Sequence, residues 1–248
     1  MPNNALIGHT GFVGNNLKKH YDFRYLFNSS NIDQIENNSY DTIMCAAPSA
    51  VKWRINKDPV TDLNNITQLI SSLQRTNFKR LILFSTVDVY GDDNNCGHDE
   101  DYVPDLKQHY YGFNRLIFEK YVLNLSNSNI IRLPALFGAG LKKNIIFDLC
   151  NDNMVDKISL NTSFQWLDLS LLPDVINLVI DKDVPLLNAT TEPIATRDIV
   201  ANFFPNKLSS CVGESSLSYD IRTKYSKDYL YGKNEIIKNL EIYLGDIK

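Results

Sequence analysis

A chain of 248 residues with 44% hydrophobic side chains can bury a sizeable core, as one large α/β domain or one domain with a small lobe. Its formal charge of −4, from 25 basic and 29 acidic residues spread along the chain, argues against a nucleic-acid partner, and no apolar run approaches the roughly 20 residues that span a bilayer. Cys45, Cys96, Cys150 and Cys211 lie far apart without a CxxC pair, and His9, His20, His98 and His109 are as dispersed, so reduced thiols, no disulfide frame and no metal are expected.

The first predicted element is a short apolar strand over Ala5–Ile7, which runs directly into Gly8-His9-Thr10-Gly11-Phe12-Val13-Gly14 and then a helix-like stretch. Such a turn gathers backbone N–H groups and the positive end of a helix dipole around one anionic site, the size of a pyrophosphate. Gly8 makes the tight turn, Gly11 lets the backbone approach the diphosphate, and Gly14 allows the helix to pack on the strand. Because this loop begins at Gly8, no room remains for a signal peptide, and a cytoplasmic protein is expected.

Further strands are predicted over Tyr25–Phe27, Thr42–Cys45, Arg80–Ser85, Ile130–Leu133 and Pro185–Asn188. Helical patterns occupy Pro59–Thr76, Gln108–Leu125, Leu171–Ile180, Arg197–Phe204 and Asn234–Leu244. Short strands alternating with longer helices predict a doubly wound parallel sheet covered on both faces. The strand over Arg80–Ser85 leads into Ser85-Thr86-Val87-Asp88-Val89-Tyr90-Gly91, and a helix opens at Tyr110-Tyr111-Gly112-Phe113-Asn114-Arg115.

Taken in order, these segments resemble the extended short-chain dehydrogenase/reductase family, the NAD(P)-dependent nucleotide-sugar epimerases, dehydratases and reductases. The resemblance covers nearly the whole chain. It rests on Gly8, Gly11 and Gly14, the strand end Ser85 to Gly91, the Tyr111-Gly112 pair, Ile131-Arg132-Leu133-Pro134 with Phe137-Gly138, and Phe164-Gln165-Trp166-Leu167-Asp168. It implies a Rossmann-type core over residues 1–134, completed by about 165–188, and a small substrate lobe from 135–164 and 189–248.

The resemblance also implies roles. Tyr111 matches the family's general acid/base, working with a nicotinamide that takes or gives hydride at the same carbon. Thr86 matches the strand-end hydroxyl that bonds the reacting oxygen, while Ser85 faces the other way. Arg115 stands where the family's lysine grips the nicotinamide ribose; a guanidinium keeps the charge and offers a bulkier, planar fork of donors. Asp88 is either an auxiliary acid/base or a structural carboxylate at the strand end. Val87 stands where the family's dehydratases carry an acid, so epimerase or ketoreductase is expected ahead of dehydratase.

The cofactor set implied comprises Gly8, Thr10, Gly11, Phe12, Val13, Gly14, Asn28, Ser29, Ser30, Cys45, Ala46, Ala47, Tyr111, Arg115 and Pro134. Asn28-Ser29-Ser30 lacks the carboxylate that would hold a ribose diol and repel a 2′-phosphate, which favours NADP over NAD by a small margin, with Asp33 the nearest acid. Small residues at Cys45-Ala46-Ala47 would let the cofactor lie close to the backbone. Lys52 and Arg54, flanking Trp53 on an expected loop, are either substrate contacts or a solvated face. Lys142, Lys143 and Asn144 resemble the family segment that touches a substrate diphosphate, and Arg222 belongs to a second polar cluster. The sequence thus predicts an NAD(P)-dependent epimerase or ketoreductase of a sugar, nucleotide-linked in the first place, with a homodimer compatible. The alternatives are a non-catalytic NAD(P)-binding sensor or partner protein of the same fold, and a reductase of a small carbonyl compound.

Overall fold

The computed structural model describes residues 2–105 and 109–247. Its strands are β1 (Ala5–Ile7), β2 (Tyr25–Phe27), β3 (Ser39–Cys45), β4 (Asn77–Thr86), β5 (Ser128–Leu133), β6 (Ala135–Phe137), β7 (Ser163–Phe164), β8 (Trp166–Asp168), β9 (Leu186–Asn188) and β10 (Ile194–Ala195). Its α-helices are α1 (Phe12–His20), α2 (Lys52–Lys57), α3 (Pro59–Gln74), α4 (Tyr110–Leu123), α5 (Ile145–Cys150), α6 (Leu172–Asp181), α7 (Thr196–Phe203) and α8 (Lys233–Asp246).

Six strands form one sheet in the order β2-β1-β3-β4-β5-β9. The run from β2 to β5 is parallel, with Ile7 opposite both Phe27 and Cys45, and Thr86 opposite Leu133. Alternation explains why both faces are covered. Ala5, Ile7, Ile43, Cys45, Leu81 and Leu83 enter one core cluster with Ile66, Leu69 and Leu73 of α3 and Phe118 and Val122 of α4. Their neighbours Leu6, Met44 and Ile82 point to the opposite face and are buried as fully. A strand buried on both faces reads as a continuous apolar run, which is why Leu81-Ile82-Leu83-Phe84 was legible. The sheet order reverses direction between β1 and β3, and ligands of such sheets bind outside the strands' carboxyl ends at that switch point. Gly8 and Ala46 follow those two ends.

The chain divides into two compact units. The first comprises residues 1–92, 103–133 and 172–187; the second comprises 93–102, 134–171 and 188–248. In the second, β6 pairs with β8 in parallel and β7 with β10 antiparallel, around a core that includes Phe137, Ile146, Leu149, Trp166, Ile194, Ile199 and Leu240. Residues 93–102 cluster with this second unit, and not with the expected core over residues 1–134 in which their sequence position lies. The reason is backbone pairing: Gly97 N–H donates to Asp220 at 2.9 Å, Asp220 N–H to Asn94 at 2.7 Å, and Arg222 N–H to His98 at 2.8 Å. Residues 165–171 also fall in the second unit, because β8 pairs with β6.

Lys52–Lys57 forms a short helix, α2, where a loop was expected. It buries only Ile55, so no apolar periodicity announced it. Gln108, the expected first residue of the helix that begins at Tyr110, lies outside the described residues. Among the described residues no helix is long and apolar enough to cross a membrane.

Candidate active site and cofactor loop

Steric room separates the three glycines of the loop. Gly8 has φ +82, and a Cβ there would sit 2.6 Å from the Ala46 carbonyl oxygen. At Gly14 a Cβ would lie 2.2 Å from the Gly8 carbonyl oxygen. Both are therefore required by the close approach of β1, β3 and α1. Gly11 differs: a Cβ there meets only the Gly8 oxygen, at 3.4 Å, so the fold tolerates a side chain and the space above the loop stays open to a ligand. The Gly8 N–H is spent on Phe27 and the Gly11 N–H on Gly8. The first turn of α1 has no capping side chain, so the amides of Phe12, Val13 and Gly14 are oriented as anion donors, and Asn15 steadies Thr10 by donating to its carbonyl at 2.9 Å. These donors and this open space fit a diphosphate. Gly14→Ala is accordingly expected to destabilise the fold by about 1–3 kcal/mol, the usual cost of overpacking, whereas Gly11→Val keeps the melting temperature and loses dinucleotide affinity. Thermal melts and calorimetry on both variants check this.

Beyond β2, Asn28 closes on its own segment. Its Oδ1 accepts from the Ser30 N–H at 2.8 Å and the Ser30 hydroxyl at 2.6 Å, and its amide meets His9 Nε2 at 3.2 Å. Polar groups expected to face a ribose thus hold a local turn, with exposed Ser29 at its tip. Cys45 is fully buried, its thiol pushed up to about 12 by desolvation, which makes it a packing residue and no nucleophile. Ala46 continues the pairing of β3 with β1 through its N–H to Ile7. Pro134 follows β5 and is buried.

Tyr111 stands one residue into α4. His109 caps that helix, its Nδ1 accepting from the Gly112 N–H at 3.0 Å, and Asn56 of α2 accepts from the Tyr111 N–H at 2.9 Å. Tyr111 is 6% exposed, and the Thr86 hydroxyl is among the groups that act on its phenol. Burial pushes its pKa up to about 12, against the pull of the Arg115 cation. Thr86 also accepts from the Asp88 N–H at 3.1 Å, so the β4 end is organised around this hydroxyl. The Asp88 carboxylate accepts from Lys52 at 2.8 Å; an expected auxiliary acid and an expected substrate cation are paired with each other. Ser85 is buried, and its hydroxyl has no partner among the described residues.

Arg115 lies beneath the tyrosine, its guanidinium carbon 4.8 Å from the ring centroid. It is bidentate to Asp62 of α3, at 2.9 and 3.1 Å, and donates to the Ser49 carbonyl at 2.6 Å. Asp62 accepts from Asn114 as well, at 2.9 Å. Arg115 and Asp62 are only 4% and 5% exposed. A fork of donors on a carboxylate is the geometry a guanidinium has and an ammonium lacks, so Asp62 explains why arginine suits this position.

In the second unit, Lys142 and Lys143 are exposed. Asn144 is an N-cap: its Oδ1 accepts from the Phe147 N–H at 3.1 Å while its amide donates to Leu136 at 2.9 Å. Arg222 is paired with Asp220 at 3.2 Å and Asp228 at 3.4 Å. Arg54 and Trp53, in the first unit, remain exposed, the indole by 72%.

Sequence reasoning missed Asp62, Asn56 and His109. The first two touch the site only through partners about fifty residues away. His109 had a local signal, its place two residues before Tyr111 at a helix start. Its Nδ1 is an acceptor, so the neutral ring carries its proton on Nε2, which is buried and has no partner among the described residues.

The profile of the NAD dependent epimerase/dehydratase family matches residues 22–160. A search among curated proteins finds no match in sequence. Among solved structures, the fold is similar to dTDP-4-dehydrorhamnose reductase from Yersinia enterocolitica, with a TM-score of 0.71 and 18% identity over 99% of both chains. It is also similar to MoeE5 in complex with UDP-glucose and NAD, with a TM-score of 0.65 and 17% identity over 89% of this chain and 88% of the other. RMD from Pseudomonas aeruginosa, complexed with NADPH, gives a TM-score of 0.64 and 15% identity over 98% and 92%. Together with the glycine loop, the family match over more than half its length shows that the chain belongs to the NAD dependent epimerase/dehydratase family, whose cofactor is a nicotinamide dinucleotide.

Proposed function

We propose that this protein is a ketoreductase or epimerase of a nucleotide-linked sugar, with Tyr111 as the acid/base. The observation that carries this reading is the burial of Tyr111 with the Arg115 guanidinium 4.8 Å from its ring centroid and the Thr86 hydroxyl among the groups that act on its phenol, at the carboxyl edge of the sheet that also bears the glycine loop. When bound, the cofactor supplies or accepts hydride at the sugar carbon. Tyr111 holds the proton for the oxygen on that carbon, and Thr86 orients both oxygens. Glycines 8, 11 and 14, the amides of residues 12–14 and the small residues Ala46 and Ala47 are the proposed cofactor cradle. Trp53 and Arg54, solvent-facing in the first unit, are the proposed substrate contacts; the nucleotide link is supported by a structural neighbour that binds UDP-glucose.

A tyrosine held near 12 is protonated at neutral pH, so its ready role is to give a proton to a carbonyl oxygen. Reduction is therefore expected to be flat through neutral pH and to fall as pH rises through the tyrosine pKa. Oxidation of the alcohol, which needs the phenolate, is expected to rise with pH over the same range. Initial rates in both directions across pH check the sign.

Because Asn28-Ser29-Ser30 offers no carboxylate, NADP(H) is proposed to bind better than NAD(H), by a small margin; calorimetry with both cofactors tests it, and a clear preference for NAD(H) would overturn it. A second reading, cofactor binding without turnover, is favoured by one observation, the engagement of Arg115 by Asp62 and Ser49. The deciding experiment mixes purified protein with NADH or NADPH and a panel of 4-keto nucleotide sugars. Cofactor oxidation supports the enzyme, and tight cofactor binding without oxidation supports the second reading.

A further inference from the structure

The second unit brings three metal-ligating side chains of different chemistry to one point. A carboxylate oxygen of Asp93, the thiol of Cys96 and a ring nitrogen of His98 lie within 4.8 Å of one another. We propose that they form a binding site for a borderline-soft divalent cation, zinc above all.

The sequence pattern alone, Asp93-x-x-Cys96-x-His98, carries no metal signal, because neither the cysteines nor the histidines repeat at metal-ligand spacing. The loop geometry makes the pattern significant. Cys96 N–H closes a turn on the Asp93 carbonyl at 3.2 Å, and Gly97 takes φ +68, a left-handed conformation suited to glycine. This folds the three side chains together. The loop is not loose: three backbone hydrogen bonds join Asn94, Gly97 and His98 to Asp220 and Arg222. Glu100 then fastens its far side, accepting from the Thr223 hydroxyl at 2.7 Å and the Lys224 N–H at 2.9 Å.

A second, independent feature orients the ligands. The Tyr102 hydroxyl donates to Asp93 Oδ2 at 2.5 Å, and its ring stacks on His98 with centroids 3.6 Å apart and planes 4° from parallel. One residue thereby steadies two of the three ligands, the part an outer shell plays around a metal. Bond lengths of about 2.0–2.3 Å place ligand atoms roughly 3.3–3.8 Å apart on a tetrahedron, so a closure of about 1 Å by side-chain rotation completes the site. The carboxylate and the thiolate that binding creates neutralise a dication. Thiolate and imidazole together select zinc over magnesium or calcium, and three protein ligands leave the fourth position to water. The Arg222 guanidinium near Gly97 is itself neutralised by Asp220 and Asp228.

The test uses the full chain stripped with a chelator, titrated with zinc chloride by calorimetry and with cobalt(II) by absorption. One zinc per chain is expected, with release of the thiol proton, and thiolate-to-cobalt charge-transfer bands. Cys96→Ser, His98→Gln and Asp93→Asn are each expected to weaken binding by at least about tenfold, and Tyr102→Phe by roughly 10–100-fold, as loss of an outer-shell partner does. Cys150→Ser should leave binding unchanged. Circular dichroism of each variant confirms the fold, and any variant that unfolds is replaced by the other two ligand variants in the comparison. Absence of stoichiometric zinc binding overturns the site. So does binding lost with Cys96→Ser but indifferent to His98→Gln and Asp93→Asn, which would mark an exposed thiol acting alone.

Discussion

Replacing Tyr111 by phenylalanine is expected to cut turnover by about 10²–10⁴-fold, the range that a positioned general acid contributes, while dinucleotide affinity stays as it was. The substitution removes one oxygen and little else: the ring keeps its place beneath the α4 cap and its stack on His109 at 6.3 Å. The Thr86 hydroxyl still accepts from the Asp88 N–H, so the β4 end holds its shape. A fall in both kcat and kcat/KM by the same factor would identify an interaction made in the transition state. Unchanged turnover on a confirmed substrate would move the proton to another group, with Asp88, whose charge acts on the Tyr111 phenol, and His109, its ring 6.3 Å from that of Tyr111, as candidates. Cofactor binding, measured alongside, separates this outcome from a damaged glycine loop.

Breaking the ion pair beneath that tyrosine is expected to be strongly destabilising to the first unit. Asp62→Ala strands the buried Arg115 guanidinium with the Ser49 carbonyl as its remaining oxygen partner, and loss of one member of a buried pair costs about 3–5 kcal/mol. For a chain of this size the melting temperature should fall by on the order of 10 °C. The double variant Asp62→Leu with Arg115→Met should recover much of that loss, because apolar residues of similar volume often replace a buried pair at little cost. Function then tells the two roles of Arg115 apart. If the guanidinium also reaches the cofactor ribose, the stable double variant binds dinucleotide more weakly than the native chain; equal affinity would assign Arg115 to packing alone. Arg115→Lys keeps the charge but cannot grip both oxygens of Asp62, so partial stability and a shifted pH profile, through the Tyr111 pKa, are expected.

The family and the candidate residues of its site were legible in the sequence because each depends on local rules. Glycine spacing between an apolar strand and a helix is read in seven consecutive residues; strands buried on both faces announce themselves as unbroken apolar runs; and a tyrosine at a helix start beside a glycine needs no distant partner to be noticed. What tertiary structure alone decided is whom each polar side chain meets. Arg115 and Asp62 are 53 positions apart, and nothing near either one foretells their pairing. Asn144 proved to be a helix cap and Arg222 a member of an acid-paired cluster, because a polar side chain becomes a satisfied one when the fold supplies a partner. The loop over residues 93–102 shows the same physics in the other direction. Its Asp, Cys and His carry no helical or strand periodicity, and backbone pairing to Asp220 and Arg222, with Glu100 bonded to Thr223 and Lys224, removes the conformational freedom that would otherwise keep their side chains apart.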